Sequence, residues 1–382
     1  MHEHKQNQCK RKVKHRKNVM GLIIFCITVG LAFMFTYYQN LRKEISARQK
    51  WLETVLTGEK KWILENQGPE GEIYMNGSKA GDVNPYFACM AALGLLAETK
   101  NCPITETEKK AVDRYLDWHT GILLETDGKM GIYRKESGKL IYKEKADSED
   151  GYLGMYLFLM GKYLEKTESR DLPEYWKKGI SLALKKIQSL MLDGITQVSE
   201  ENTTVYLMDN LEVWKGLYEL ELAGLEDTQA ISEIRKKIQE QIEKIFWDDA
   251  NQRWRIIGNS DLYHQTEFYP DGVAQIYPLI YEFPVKEKKK QKVLYDQFTE
   301  RFQWQKLNKK RTGFLWAITG MAAAQMGDIN NLVELIRNYE TDYCENRKYP
   351  LYTGEAGWIC MECGKLYGLY ERKIKTGFIL CA

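Results

Sequence analysis

Apolar residues along this chain alternate between two patterns. Six segments are aromatic-rich and apolar nearly all the way round: AGDVNPYFACMAALGLL from Ala80, ADSEDGYLGMYLFLMGKYL from Ala146, YLMDNLEVWKGLYELEL from Tyr206, FYPDGVAQIYPLIYEF from Phe268, GFLWAITGMAAAQMG from Gly313 and TGEAGWICMECGKLYGLY from Thr353. A helix with no polar face belongs inside a protein or a bilayer. Between these lie amphipathic segments, Trp51–Asn66, Thr105–Ile122, Leu172–Leu192, Thr228–Phe246, Lys286–Phe302 and Asn330–Tyr339. In ISEIRKKIQEQIEKIF, for instance, Ile231, Ile234, Ile238, Ile242 and Ile245 recur at three- and four-residue steps. That spacing gives a helix with one buried stripe.

Six amphipathic helices alternating with six buried ones predict six helical hairpins, buried helices inside and amphipathic ones outside. The expected fold is all-α, an (α/α)6 toroid. Helical repeats can also stack into an open superhelix; the absence of an obvious polar cap at either end favours a closed ring. Two short interruptions, GKMGIYRKESGKLIYK and WDDANQRWRIIG, alternate around turn residues and predict small β-hairpins at the rim.

Five of the six apolar segments carry acid at the start: Asp82, Asp147 with Asp150, Asp209 with Glu212, Asp271 and Glu355. Asp82, Asp147, Asp209 and Asp271 are separated by steps of 65, 62 and 62 residues, the mark of a repeated structural unit. Acidic residues cap helices everywhere, and capping alone accounts for any one of them. In a ring, however, the inner helices all point the same way and their N-termini meet at one mouth. Tyr86, Tyr152, Tyr206, Trp214, Tyr269 and Trp358 lie at the same ends. Aromatic rings stack on sugar faces and carboxylates bind hydroxyls, so the combination points to carbohydrate. One carboxylic acid can then protonate a leaving oxygen while another activates water.

Charge gives the chain an address. The formal net charge is +2, which supplies no global field for nucleic acid. Seven lysines and arginines crowd the first seventeen residues, and Val19–Tyr38 then runs twenty residues without a charge. Such a run is long enough, at about 1.5 Å per residue, to span a bilayer. The basic flank predicts a cytoplasmic N-terminus and an extracytoplasmic remainder. FMFTYYQN lacks the small residues of a signal-peptidase site, so an uncleaved anchor is expected rather than a signal peptide. The predicted organisation is a basic tail over 1–18, a transmembrane anchor over 19–38, a tether over 39–50 and one domain over 51–382.

Other chemistries find less support. Cys360 and Cys363 form a C-x-x-C with no second pair, and only His119 and His264 lie beyond the anchor, so neither a metal nor a cofactor is expected. No glycine-rich phosphate loop or G-x-S-x-G elbow is present.

The layout resembles the six-hairpin glycosidase superfamily, and within it the family 8 glycoside hydrolases, inverting enzymes that cleave β-linked glucans. The resemblance runs from Trp51 to the C-terminus in helix order. In that family a glutamate within S-E-G-x-G-Y is the proton donor; GDVNPYF places Asp82 there, with Tyr86 at the tyrosine. ADSEDGYLGMY resembles the T-D-x-D-x-D-x-A-Y motif that holds the cleaved sugar, through Asp147 and Asp150. YPDGVAQIYP resembles Y-D-A-x-R-x-P loosely, which makes Asp271 the general base. Asp replaces Glu at the donor, and the arginine of the last motif is missing.

The resemblance therefore implies an inverting hydrolase of a polysaccharide, a β-linked glucan or exopolysaccharide. Asp82 and Asp271 are its expected catalytic pair. Asp147, Asp150, Tyr86, Tyr152, Asp209, Tyr269, Glu355 and Trp358 are the expected substrate-binding residues. Two alternatives stand beside it: a non-catalytic sugar-binding protein of a surface polysaccharide system, and a six-hairpin lyase using His264 and Tyr269 of LYHQTEFY.

Overall fold

The computed structural model describes residues 2–77, 81–137, 139–169, 171–225, 228–258, 260, 267–307 and 313–381, with side chains from Met20 to residue 375 apart from those at 21, 22 and 24. Among these residues twelve α-helices alternate in the predicted way. Those with an amphipathic sequence are α1 (His2–Glu65), α3 (Glu106–Glu125), α5 (Glu174–Ser189), α7 (Thr228–Phe246), α9 (Lys288–Phe302) and α11 (Ile329–Tyr339). The apolar ones are α2 (Pro85–Leu95), α4 (Glu149–Thr167), α6 (Leu207–Leu222), α8 (Val273–Ile280), α10 (Thr319–Met326) and α12 (Thr353–Cys381).

Burial follows the patterns that predicted the helices. Helix α7 buries Ile231, Ile234, Ile238, Ile242 and Phe246. Ile245, expected in the stripe, is half-buried, because 3.6 residues per turn return Phe246 to the inward face instead. Helix α8 is buried at every position, and α4 at every position from Glu149 to Gly161. Each such aliphatic or aromatic side chain contributes roughly 1.5–3 kcal/mol on leaving water. Truncating one of them, Ile238→Ala, is expected to cost about 2–5 kcal/mol.

The chain divides into two compact units. In the larger, Glu53–Leu366, the apolar helices pack in sequence order, α2 on α4, α4 on α6, α6 on α8 and α8 on α10. Helix α12 closes the circuit. Gly94 of α2 and Gly357 of α12 meet so closely that a Cβ on either would enter the other helix's backbone, and on the opposite side Gly320 of α10 lies against Glu362 of α12. This is the α/α toroid rather than an open superhelix.

Among the described residues three small antiparallel sheets decorate the connections. The predicted hairpins are β2 (Gly131–Glu136) with β3 (Lys139–Lys145), and β6 (Trp247–Asp248) with β7 (Arg253–Trp254). A third pair, β4 (Met191–Leu192) with β5 (Ile195–Thr196), was not signalled by any alternation in the sequence. The strand β1 (Asp82–Val83) adds to the first hairpin, with Asp82 opposite Arg134 and Val83 opposite Tyr133.

The other unit comprises residues 1–52 and 367–382. There Arg48 donates to the Tyr370 hydroxyl at 3.0 Å and Gln49 to Glu371 at 3.1 Å. The expected tether over 39–50 is helical and continuous with its neighbours in α1. The uncharged run Val19–Tyr38 also lies within α1, and Phe25, Phe33, Phe35 and Tyr37 are each more than half exposed. Among the described residues no helix is long and apolar enough to cross a membrane. The side chains at Val19, Gly21, Leu22 and Ile24, four members of the expected anchor, lie outside the described ones.

Candidate active site

The N-terminal ends of all six apolar helices converge on one cavity of about 310 Å³. Helix α2 and its approach contribute Asn84, Tyr86, Phe87 and Met90. Asp147, Ser148 and Tyr152 come from α4 and its approach, and Met208, Asp209 and Glu212 from α6. Tyr269 and Tyr277 come from α8 and the turn before it; Phe314, Trp316 and Ile318 precede α10; Glu355 and Trp358 come from α12. Aromatic walls with a few convergent acids are the general make-up of a ligand site.

At two of these ends an uncharged side chain caps the helix. Asn84 Oδ1 accepts the Tyr86 N–H at 2.9 Å, and Ser148 Oγ accepts the Gly151 N–H at 3.2 Å. Asp150 Oδ1 shares the Gly151 N–H with Ser148 at 3.0 Å, and the other acids at the helix starts have other partners or settings.

Glu212 sits deepest. Its Oε1 accepts from the hydroxyls of Tyr86 at 2.5 Å, Tyr277 at 2.8 Å and Tyr281 at 3.3 Å. Burial pushes its carboxyl up to about 8, the tyrosine donors opposing that shift without cancelling it. Three donors crowd Oε1, so the proton of the neutral acid belongs on Oε2. A Cβ at position 151 would lie 2.9 Å from that oxygen; Gly151 leaves the space open.

Glu355 faces the same cavity. Its carboxyl accepts the backbone N–H of Trp316 at 3.2 Å and of Ala317 at 2.8 Å. Burial raises it to about 7, against the pull of those donors. Trp316 has a left-handed backbone, φ +59°, which a bulky residue adopts at a cost of order 1–3 kcal/mol and which clusters at functional sites. Tyr269, 44% exposed, stacks beside it with ring centroids 4.6 Å apart. Asp147 is exposed at the rim, and Asp209 lies partly open to the cavity beside Ser148.

Of the ten expected site residues, the cavity gathers Tyr86, Asp147, Tyr152, Asp209, Tyr269, Glu355 and Trp358. Asp150 is fully buried behind the wall, bonded to Ser148 and Thr196. Asp82 is not among the lining residues. Arg134 Nε and Nη2 reach its carboxylate at 2.6 and 3.1 Å, and Lys143 Nζ at 2.8 Å. The Arg134 hydrogen bond, with that of Lys143, holds Asp82 below the usual carboxylate range, the reverse of what a proton donor requires. Asp271 is also outside the lining, buried in the π-helical turn Phe268–Gly272, where its carbonyl accepts the Gln275 amide at 3.1 Å.

Glu212 was legible only as an acid at a helix start; its place three residues after Asp209, on the same helical face, was the signal for a second acid there. Trp316 and Phe314 carried no such signal, because Gly313–Ile318 is not helical. His119 is buried, 3.1 Å from the Tyr115 hydroxyl and 3.5 Å from Cys89 Sγ, and burial drives its imidazole down to about 3. That is a neutral core histidine. His264 lies outside the described residues.

Comparison of the whole structure with solved ones gives the fold its context. A chain titled as a wild-type glycosidase matches with a TM-score of 0.60 at 11% identity, over 85% of this chain and 99% of that one. A β-1,3-1,4-glucanase from Paenibacillus sp. X4 matches at 0.55 and 10%, over 83% and 93%. A D-mannose isomerase matches at 0.55 and 12%, over 83% and 97%. The chain shares the α/α toroid fold of these proteins. At these identities the likeness concerns fold, and the isomerase shows that the scaffold carries more than one chemistry. No protein-family model matches the sequence, and no curated protein does.

Proposed function

We propose that the protein is a glycoside hydrolase acting on a β-linked glucan or related glycan through this cavity, with Glu212 as proton donor and Glu355 as the carboxylate that activates water. The observation that carries the reading is the pairing of two buried acids with different settings in one aromatic-lined cavity. Glu212 is proton-bearing at neutral pH, with Oε2 left for the transferable proton. Glu355 is steadied in its charged form by two backbone N–H groups. Two carboxyls whose surroundings separate their protonation states are what acid/base cleavage of a glycosidic bond needs.

Tyr269 and Trp316 supply faces for sugar rings, with Tyr152 and Trp358 buried in the wall behind them, and Asp147 supplies an acceptor for hydroxyls at the rim. The cavity is at the small end of ligand pockets, ~300–1,000 Å³, which favours an oligosaccharide or a chain end as the occupant. The sequence supports an anchor at Val19–Tyr38 with the catalytic unit outside the cell. Membrane-impermeant thiol labelling of Cys102 but not Cys9, in variants keeping one of the two, is the expected result; the opposite labelling would reverse the orientation.

The function is tested by incubating the purified protein with mixed-linkage and other β-glucans and their oligosaccharides, following new reducing ends by NMR. Release of the inverted anomer, abolished in Glu212→Gln, is expected. Saturable sugar binding with no cleavage would replace the hydrolase by the sugar-binding reading.

A further inference from the structure

The protons behind the cavity can be counted. Five polar groups run in a line from the cavity into the core: Asp209, Ser148, Asp150, Thr196 and Asn210. Ser148 Oγ is 2.9 Å from Asp209 Oδ2 and 2.8 Å from Asp150 Oδ1. Thr196 Oγ1 is 2.8 Å from Asp150 Oδ2 and 2.8 Å from Asn210 Oδ1. These are four short oxygen–oxygen contacts, and each is a hydrogen bond only if it holds a proton. The two hydroxyls own one proton each. If each contact is a separate two-centre bond, the remaining two protons come from the carboxyls.

The direction of the chain is fixed at its buried end. Asn210 Nδ2 donates to the Thr196 and Tyr206 carbonyls, both at 2.9 Å, and Asn210 Oδ1 accepts the Thr196 N–H at 2.8 Å. The amide oxygen therefore faces Thr196 and can only accept. Thr196 donates to Asn210, so Asp150 donates to Thr196, Ser148 to Asp150, and Asp209 to Ser148. The Gly151 N–H is shared between Ser148 Oγ at 3.2 Å and Asp150 Oδ1 at 3.0 Å, so Asp150 Oδ1 is an acceptor and the Asp150 proton belongs on Oδ2.

We propose that this one-directional chain holds Asp209 protonated, making it a neutral positioning residue whose free oxygen accepts a hydroxyl of the bound sugar. The protonation claim stands on the hydrogen-bond geometry alone; the sugar contact rests on the hydrolase reading. Burial of the group, with the neighbouring acids Asp150, Glu212 and Asp147, raises Asp209 well above a carboxylate's ordinary range, the Ser148 hydrogen bond opposing that shift without cancelling it. A neutral Asp209 also spares Glu212 a charge three residues away on the same helix.

Carboxyl ¹³C NMR titration of aspartate-labelled protein tests this without reference to activity. In the wild type two aspartate signals are expected to remain those of neutral acids well above pH 5. Ser148→Ala removes the acceptor of the Asp209 proton, so its midpoint should fall by about one unit, the equivalent of one ordinary hydrogen bond. Thr196→Val, distant from the cavity, should lower the Asp150 midpoint likewise. If instead Ser148 and Thr196 donate to ionised carboxylates, both substitutions must raise those midpoints, and that sign would overturn the proposal. Should Ser148→Ala fail to fold through loss of its cap, Thr196→Val decides alone. Hydrolysis without the predicted shifts would discard the chain and keep the function; shifts without hydrolysis would do the reverse.

Discussion

Glu212 and Glu355 differ in what steadies them, and that difference sets the expected response to pH. A base must be ionised and an acid protonated for the reaction to proceed. Activity should rise as Glu355 ionises, about pH 7, and fall as Glu212 ionises, about pH 8. The profile of kcat/KM is thus a narrow bell between those values, to be measured across pH 5 to 10. A maximum near pH 5 would contradict the assignment. Asp82 illustrates why single residues were harder to read than patterns. Its position at the start of an apolar segment was visible, but its partners Arg134 and Lys143 lie more than fifty residues on, in a hairpin whose pairing with β1 nothing in the sequence announced. Nor could spacing alone tell that Asn84 and Ser148 would do the capping.

At the level of elements, Asp82 helps to hold the β2–β3 hairpin at the rim, beside the β1–β2 backbone pairing. Asp82→Asn keeps the shape of the side chain and loses both ion pairs. Solvent screens such exposed pairs, so global stability should change little. Backbone amides of residues 131–145 should exchange faster, and hydrolysis should fall less than tenfold. A loss of a hundredfold or more would restore Asp82 as the acid. The alternation of helices was legible because burial on all sides and burial on one side leave different periodicities. The fifth apolar segment was the exception. Its helix α10 begins only at Thr319, and the preceding turn is spent delivering the Trp316 and Ala317 N–H groups to Glu355.

The molecule as a whole concentrates acids in its interior. Asp150, Asp209, Glu212 and Glu355 are all raised by burial, and Glu362, fully buried in α12 with neither oxygen bonded among the described residues, is raised well above its usual range. For a carboxyl raised on folding, the folded state holds more protons than the unfolded one above about pH 4. Stability is then greatest below the unfolded value and declines as pH climbs through the folded ones. The unfolding temperature should accordingly fall from pH 5 to pH 8. Glu362→Gln should flatten that slope, and Glu362→Met should raise the unfolding temperature, because it replaces an unpaired buried polar group by an apolar one. A flat or rising profile for the wild type would contradict the picture of neutral interior acids.

The central claim is that Glu212 gives its proton to the leaving oxygen of a glycoside, and the choice of leaving group tests it most directly. Wild type and Glu212→Gln are compared on an oligosaccharide and on a dinitrophenyl glycoside of the same sugar, whose leaving group departs without a proton. The account predicts that Glu212→Gln loses roughly two to four orders of magnitude in kcat on the oligosaccharide and far less on the aryl glycoside. An equal loss on both substrates, or no loss on either, would contradict it.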